Sequence, residues 1–379
     1  MFWRKPLNFH FEKWLDQALS LDYVALCVPL FILAMVVEFW LSRRQQRTVY
    51  RINDTIGSLA CGMQSQLAGL VLAIPASYLY LLIENHYAMT SLRDWQGGEL
   101  ATVVFILGFF GVDFCYYWYH RASHRLNIGW ASHSVHHQSE EYNFSTALRQ
   151  SSSKYFFASL FYLPLAFLGL PFLWLVSFRS LNLLYQFWIH TRLIDRCPSW
   201  FEKVFNTPSH HRVHHGRNPH YVDRNYAGIL IVWDKMFGTF YQEKQEPDYG
   251  LVKPLNSFNC LWAEANHYWS LVKQSRSTPG LFHKIALWFK PPGWAPEHPK
   301  PEIPHGPYEK FDPLPSKNRK TMGLGLFLFG LVLGTSVTEL SIESSDIRLI
   351  LGFLSILCFS ISGVCVSRSG RSHAEQALQ

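Results

Sequence analysis

Residues 100–124 read LATVVFILGFFGVDFCYYWYHRASH. Apart from Asp113 the run is nearly all apolar up to Tyr119, and about 20 such residues are what a helix needs to cross a bilayer. The run ends in His120-Arg-Ala-Ser-His124, and positions i and i+4 of a helix share a face. The stretch therefore predicts a membrane-spanning helix that delivers two imidazoles at its polar end.

Outward from this segment the same pattern recurs. Residues 22–42, 56–83, 322–340 and 349–367 are apolar runs of spanning length. Between 155 and 190 the apolar stretch is too long for one helix and is interrupted by Gly169-Leu170-Pro171, which predicts two antiparallel spans or a re-entrant hairpin. Residues 1–21 mix aromatic and basic side chains in the manner of an interfacial helix, and no removable signal peptide is expected. Only 16% of the 379 residues are charged, against roughly 25% in an average soluble protein, and aromatic residues reach 16%. So few charges cannot coat a soluble exterior, and 49% hydrophobic residues exclude disorder.

The net charge of +7 lies on no single basic helix or tail, so no nucleic-acid partner is expected. Arg43, Arg44, Arg47 and Arg51 follow the first span, and Arg121, Arg125, Arg149 and Lys154 follow the third. The positive-inside rule then puts 43–55, 120–154, 191–321 and the C-terminus in the cytoplasm. Short loops without appended domains favour a bacterial inner membrane over the endoplasmic reticulum. The expected organisation is an N-terminal part over 1–100, a catalytic part over 101–295, a Pro-rich linker over 296–320 and a C-terminal helical hairpin over 321–379. The expected fold class is all-α: a polytopic membrane bundle of about five to seven spans, with a cytosolic helical cap carrying a histidine-rich di-metal site. The seven cysteines are scattered and form no C-x-x-C, so neither a disulfide framework nor a thiolate metal site is indicated.

Three histidine groups carry the chemistry: His120 and His124; His133, His136 and His137; and His211, His214 and His215. The i, i+3, i+4 spacing lets each group aim two or three imidazoles at a common point. Neutral imidazole suits zinc, copper, iron or nickel, and eight ligands exceed what one ion can use, so two metals are expected. His190, at the end of the fifth apolar run, is a ninth candidate, Gln186 one turn earlier is weaker, and His210 adjoins the third group. Ligating histidines hand their other N–H to a carboxylate or carbonyl, and Asp113, Glu140, Glu141, Asp195, Asp223 and Asp234 are the nearby carboxylates. An intramembrane Asp113, Arg179 or Asn182 should face the protein interior. No H-E-x-x-H, G-x-S-x-G, P-loop or dinucleotide glycine motif is present, so protease, serine hydrolase and internal flavin reductase lose support, and electrons must come from an external donor. No catalytic residue beyond the metal ligands is indicated.

These boxes, followed by Trp233-Asp234-Lys-Met-Phe237-Gly238-Thr239, resemble the fatty acid hydroxylase and sterol desaturase superfamily. Tyr142–Ser151, Asn182–Thr191, Asn206–Asn218, Asn225–Gly228 and Pro292–Trp294 are further similar to its alkylglycerol monooxygenase branch. The resemblance implies a membrane lipid monooxygenase in which the nine histidines hold two irons. It implies O2 as co-substrate, tetrahydrobiopterin as reductant, and hydroxylation of an ether-linked alkyl carbon with release of a fatty aldehyde. One position departs: Arg125 stands where that branch has a glutamate. This sets the pterin and ether assignments against a second reading, a sterol, hopanoid, carotenoid or fatty acyl hydroxylase or desaturase. A non-catalytic metal- or heme-handling protein and a zinc hydrolase are the remaining alternatives, and the boxes lack the bridging carboxylates usual in the latter.

Overall fold

The computed structural model describes residues 23–90, 92, 99–297, 303, 306, 309–339 and 344–369. The 1–21 segment and residues 298–302, 304, 305, 307 and 308 of the Pro-rich stretch lie outside the described residues. Among the described residues five helices have the length and composition to span a membrane. They are α1 (Tyr23–Arg44), α2 (Ile52–His86), α3 (Glu99–Arg125), and two further helices near the C-terminus, Lys317–Glu339 and Ser345–Ser367. All five correspond to the apolar runs of the sequence. Their outward faces carry exposed Leu, Ile, Val and Phe, such as Leu30, Ile74, Leu107, Phe329 and Leu349, as lipid-facing surfaces do.

Between α3 and the last two helices the described residues form ten shorter ones. α4 (Asn127–Ala131), α5 (Ser134–His137) and α6 (Phe144–Leu148) lead into α7 (Lys154–Phe167) and α8 (Phe172–Trp188). Then follow α9 (Ser199–Val204), α10 (Pro208–His215), α11 (Val232–Met236), α12 (Cys260–Ser277) and α13 (Leu281–Phe289), with the C-terminal pair as α14 and α15. Among the described residues no strand forms, only two isolated bridges.

The 155–190 stretch resolves into the antiparallel hairpin α7–α8. At 14 and 17 residues each arm falls short of a full span. The turn needs a residue in the left-handed region: Gly169 has φ +80°, and a Cβ there would sit 2.3 Å from the Thr90 carbonyl. Met89 N–H donates to Phe167 O and Tyr80 O–H to Leu170 O, which ties the turn to the far end of α2. Phe178 and Trp174 of α8 pack edge-on against Phe105 of α3, so α3 and α8 run side by side in the same direction. Both therefore deliver their C-termini to one level. α14 and α15 form a second hairpin, clipped by Ser355 Oγ to Gly330 O and Ser362 Oγ to Gly323 O, each 2.7 Å. Small residues at such a seam let helices approach closely in lipid.

The intervening segments build a polar-framed cap over the C-terminal ends of α3 and α8. Arg149 is almost wholly buried, donating to Val135 O at 2.7 Å and to Gln138 Oε1 at 2.8 Å. Arg212 forks onto Glu243 and also donates to the carbonyls of Thr191, Ile194 and Asp195. Glu140 and Glu141 are taken by Arg51, Arg192 and Lys310, and Glu140 also accepts from the Phe311 N–H. Buried charges survive here because each is hydrogen-bonded, and Arg51, Arg192, Arg212, Glu140 and Glu141 are ion-paired as well.

Candidate metal centre

α3 brings His120 and His124 to its final turns, both buried. His133 caps α5, which carries His136 and His137, while α10 carries His211, His214 and His215. His190 follows α8 directly. The nine imidazoles gather into two groups, one of His120, His124, His133, His137 and His214, the other of His136, His190, His211 and His215. Within each group one ring nitrogen per residue lies within 4.8 Å of all the others, and every member is buried. The groups adjoin, with the His137 and His215 rings stacked at 4.3 Å.

This grouping corrects the expectation of one common point per sequence box. On a helix i and i+4 are about 40° apart whereas i+3 lies about 60° to the other side. His133 and His137 accordingly serve the first group and His136 the second, while His211 and His215 serve the second and His214 the first. Each short helix thus contributes to both groups.

The ring nitrogens are already sorted. Nδ1 of His120 donates to Tyr226 O (2.7 Å), of His136 to Arg149 O (2.9 Å), of His190 to Gln186 O (2.7 Å), and of His214 to Arg224 O (3.0 Å). A neutral imidazole with its proton on Nδ1 presents a bare lone pair at Nε2. His136 and His190 turn those bare Nε2 atoms toward each other at 3.3 Å. The Nε2 of His120 also faces His133 Nε2 at 3.0 Å, and that of His190 faces His211 Nε2 at 3.1 Å. Protonation does not relieve the contacts: burial pushes His136 down to about 4 and holds His133, His137, His211, His214 and His215 well below the ordinary range. The Nε2 atoms of His124, His214 and His215 are buried with no hydrogen-bond partner. Converging lone pairs that neither protons nor hydrogen bonds satisfy are the donor set of a cation, so the residues fit metal.

The expected carboxylate partners are not in contact with the rings. Backbone carbonyls take that place, and the nearest carboxylate, Asp223, stays 3.9 Å from His124 Nδ1, beyond hydrogen-bond reach. The carboxylates act one step further out. Asp113 accepts from Asn182 Nδ2 (2.6 Å), Ile229 N (2.9 Å), Leu230 N (3.1 Å) and Trp233 Nε1 (2.9 Å). Asp234 accepts from Tyr226 N, Ala227 N and Thr239 Oγ1. Together they fix the 224–234 loop whose carbonyls orient His120 and His214. Glu140 and Glu141 belong to the ionic frame, and the Asp195 side chain is exposed.

Asn182 is buried on Asp113, as an intramembrane polar residue should be, and Arg179 lies half-buried over the Tyr162 ring at 4.9 Å. Gln186 is no ligand here: its side chain accepts from Tyr116 O–H and donates to Asn182, while its carbonyl serves His190. His210 turns away to Phe240. Reading the sequence missed the aromatic walls, Trp130 against His124 and His137 and Tyr142 stacked between His190 and Tyr249. It also missed Arg149 and Arg212 as staples, although Arg212 inside PSHHRVHH is a visible oddity in a buried helix.

Spanning helices that end in two adjoining, buried imidazole groups define a membrane-embedded, metal-binding helical bundle. The fatty acid hydroxylase family profile matches residues 105–239. The chain is 39% identical over 336 residues to an alkylglycerol monooxygenase of Xenopus tropicalis, covering 87% of this chain and 74% of that protein. It is 42% identical over 282 residues to the Homo sapiens alkylglycerol monooxygenase and 44% over 282 residues to the Danio rerio one, covering 74% and 73% of this chain. In both cases the match spans only 61% of the relative's length. The chain belongs to the fatty acid hydroxylase family and, within it, to the alkylglycerol monooxygenases' branch. No solved structure matches it.

Proposed function

We propose that the protein is an O2-dependent lipid monooxygenase that hydroxylates the ether-linked alkyl carbon of alkylglycerols. The carrying observation is the two adjoining groups of buried imidazoles whose Nε2 lone pairs converge, with four of the opposite nitrogens anchored on main-chain carbonyls. We assign His120, His124, His133, His137 and His214 to one iron and His136, His190, His211 and His215 to the other. Such a pair, when bound, supplies the O2-activating redox chemistry that side chains lack. Main-chain carbonyls hold His120, His136, His190 and His214 in one tautomer, and Trp130, Tyr142 and Tyr226 shield the clusters from water.

The reaction consumes O2, two electrons and two protons, inserts one oxygen atom into the C–H bond beside the ether oxygen and releases the other as water. The hemiacetal product then separates into a fatty aldehyde and a glycerol. We propose a reduced pterin, tetrahydrobiopterin, as the electron donor. Arg125 supports this rather than opposing it: its guanidinium holds Asp223 at 2.7 Å, which returns a carboxylate to the neighbourhood of His124. The loops' basic residues support a cytoplasmic site, and the 101–295 segment is the proposed catalytic part.

The test is incubation of purified, iron-loaded protein with a 1-O-alkylglycerol, O2 and tetrahydrobiopterin. Aldehyde release that stops when either co-reactant is omitted is expected. A hydroxylated or unsaturated lipid without aldehyde transfers the site to the sterol, hopanoid, carotenoid or acyl-chain reading, and two zincs despite iron supplementation refute the oxygenase.

A further inference from the structure

We propose that the α12–α13 hairpin is a membrane-interface dock that beds in the anionic phospholipid headgroups of the leaflet on the histidine side. Its placement follows from its anchors. Asn259, the N-cap of α12, donates to Ser360 O and Oγ, and Phe258 N–H donates to Ser367 Oγ, so α12 starts at the end of spanning helix α15. At the other end Asn127, two residues past spanning helix α3, donates through its backbone N–H to Lys290 O and through Nδ2 to Leu287 O. Both ends of the hairpin are thus fixed at the level where spans leave the hydrocarbon.

What the hairpin exposes at that level is amphipathic in a particular way. On α13 Leu281, Phe282, Ile285 and Phe289 are 73, 79, 55 and 58% exposed. At helical spacing they occupy an arc of about 100°. Leu287, on the opposite side, is buried against Ala131 and Leu271. On α12 Trp262, Trp269, Lys273 and Arg276 form one stripe about 60° wide, with the Lys273 ammonium 5.3 Å over the Trp269 ring. Tryptophan beside a snorkelling cation is the composition of the headgroup zone.

Charge selects the occupant. From Ala265 to Pro296 the chain carries Lys273, Arg276, Lys284 and Lys290 and no Asp or Glu. A protein partner or a second copy could cover the leucines and phenylalanines, but four unopposed cations continuous with the lipid-facing spans match an anionic bilayer surface. The dock also touches the site's frame: α13 holds Asn127, and Trp130 in α4 packs on His124 and His137. The inference is independent of the substrate and of the metal.

The test uses the full chain in lipid nanodiscs. A fluorophore sensitive to polarity is placed at Phe282→Cys, with Cys27, Cys197 and Cys358 replaced by serine, and at exposed Gln245→Cys as reference. Blue-shifted emission at 282, quenched by doxyl-labelled phosphatidylcholine about twofold more than at 245, is expected. Raising the phosphatidylglycerol fraction should strengthen that quenching, and K273E/R276E/K284E/K290E should abolish the dependence. Equal lipid quenching at the two positions overturns the proposal. So does quenching that depends on the number of chains per disc, which assigns the face to a second copy.

Discussion

Replacing Asp113 with asparagine tests the link between the membrane helix and the metal groups. Four donors converge on this carboxylate, two on each oxygen. Asparagine keeps one oxygen for Asn182 and Ile229 but sets an NH2 against the Leu230 N–H and the Trp233 indole N–H. Two hydrogen bonds to a charged acceptor are lost, at about 1.5–3 kcal/mol each. Relief of burying a charge offsets roughly 1–2 kcal/mol of that, leaving a net loss of about 2–4 kcal/mol. For a chain of this size each kcal/mol moves Tm by about 2 °C, so melting in detergent should fall by roughly 4–8 °C. The loss is not evenly spread. The loop that Asp113 holds supplies the carbonyls for His120 and His214, whereas His136 and His190 lean on Arg149 and Gln186. Metal analysis of protein from iron-fed cells should therefore show about two irons per chain in the parent and about one in the variant. Asp113→Leu, which leaves all four donors without their acceptor, should melt lower still. Unchanged iron content in a variant that melts within about 1 °C of the parent would refute the chain of support from Asp113 through the loop to the imidazoles.

Three further outcomes follow from the same geometry. His136→Ala and His214→Ala should each remove one iron of two, from different groups, and the double variant both; elemental analysis showing that either single change empties both sites would overturn the grouping. In metal-stripped protein the unfolded chain takes up protons on its histidines below about pH 6.5 while burial holds His136 neutral down to about 4. Stability is therefore full above pH 6.5, falls by ~3 kcal/mol for this ring alone as pH drops from 6.5 to 4, and levels off below that; a melting temperature flat across that interval contradicts the burial argument. Gly363→Ala would put a Cβ 2.2 Å from Phe258 O and 2.7 Å from Asn259 Cα, both main-chain atoms. It should cost about 1–3 kcal/mol and loosen the start of α12, seen as a lower Tm with iron content retained.

The spans were legible because a bilayer demands a long apolar run, and that demand overrides finer preferences. The 155–190 stretch was less so: its composition marks membrane, but only the Thr90 contact and the Phe178 packing decide that it is a short hairpin. The nine histidines could be named from spacing and resemblance, yet their division into two groups could not. It depends on where α5 and α10 point, which is set by Arg149 and Arg212 gripping carbonyls far along the chain. Of the two kinds of partner expected for the imidazoles, carboxylate or carbonyl, the carbonyls that take the role could not be named, for a related reason. Carboxylates are visible in a sequence and carbonyls are common to every residue, so a hydrogen bond to main chain leaves no letter behind.

That last feature bears on how the site tolerates change. At positions 149, 186, 224 and 226 the group that orients a histidine is the peptide oxygen, present whichever amino acid is encoded there. Point substitutions at these positions can perturb the surroundings but cannot delete the anchor itself. Vulnerability is displaced from identity to backbone path: an insertion, a deletion, or a proline placed just downstream that turns a carbonyl away should do more harm than most side-chain replacements. A scan of such length changes between 222 and 232, set beside ordinary substitutions, would expose a constraint on loop geometry that no comparison of residue types could reveal.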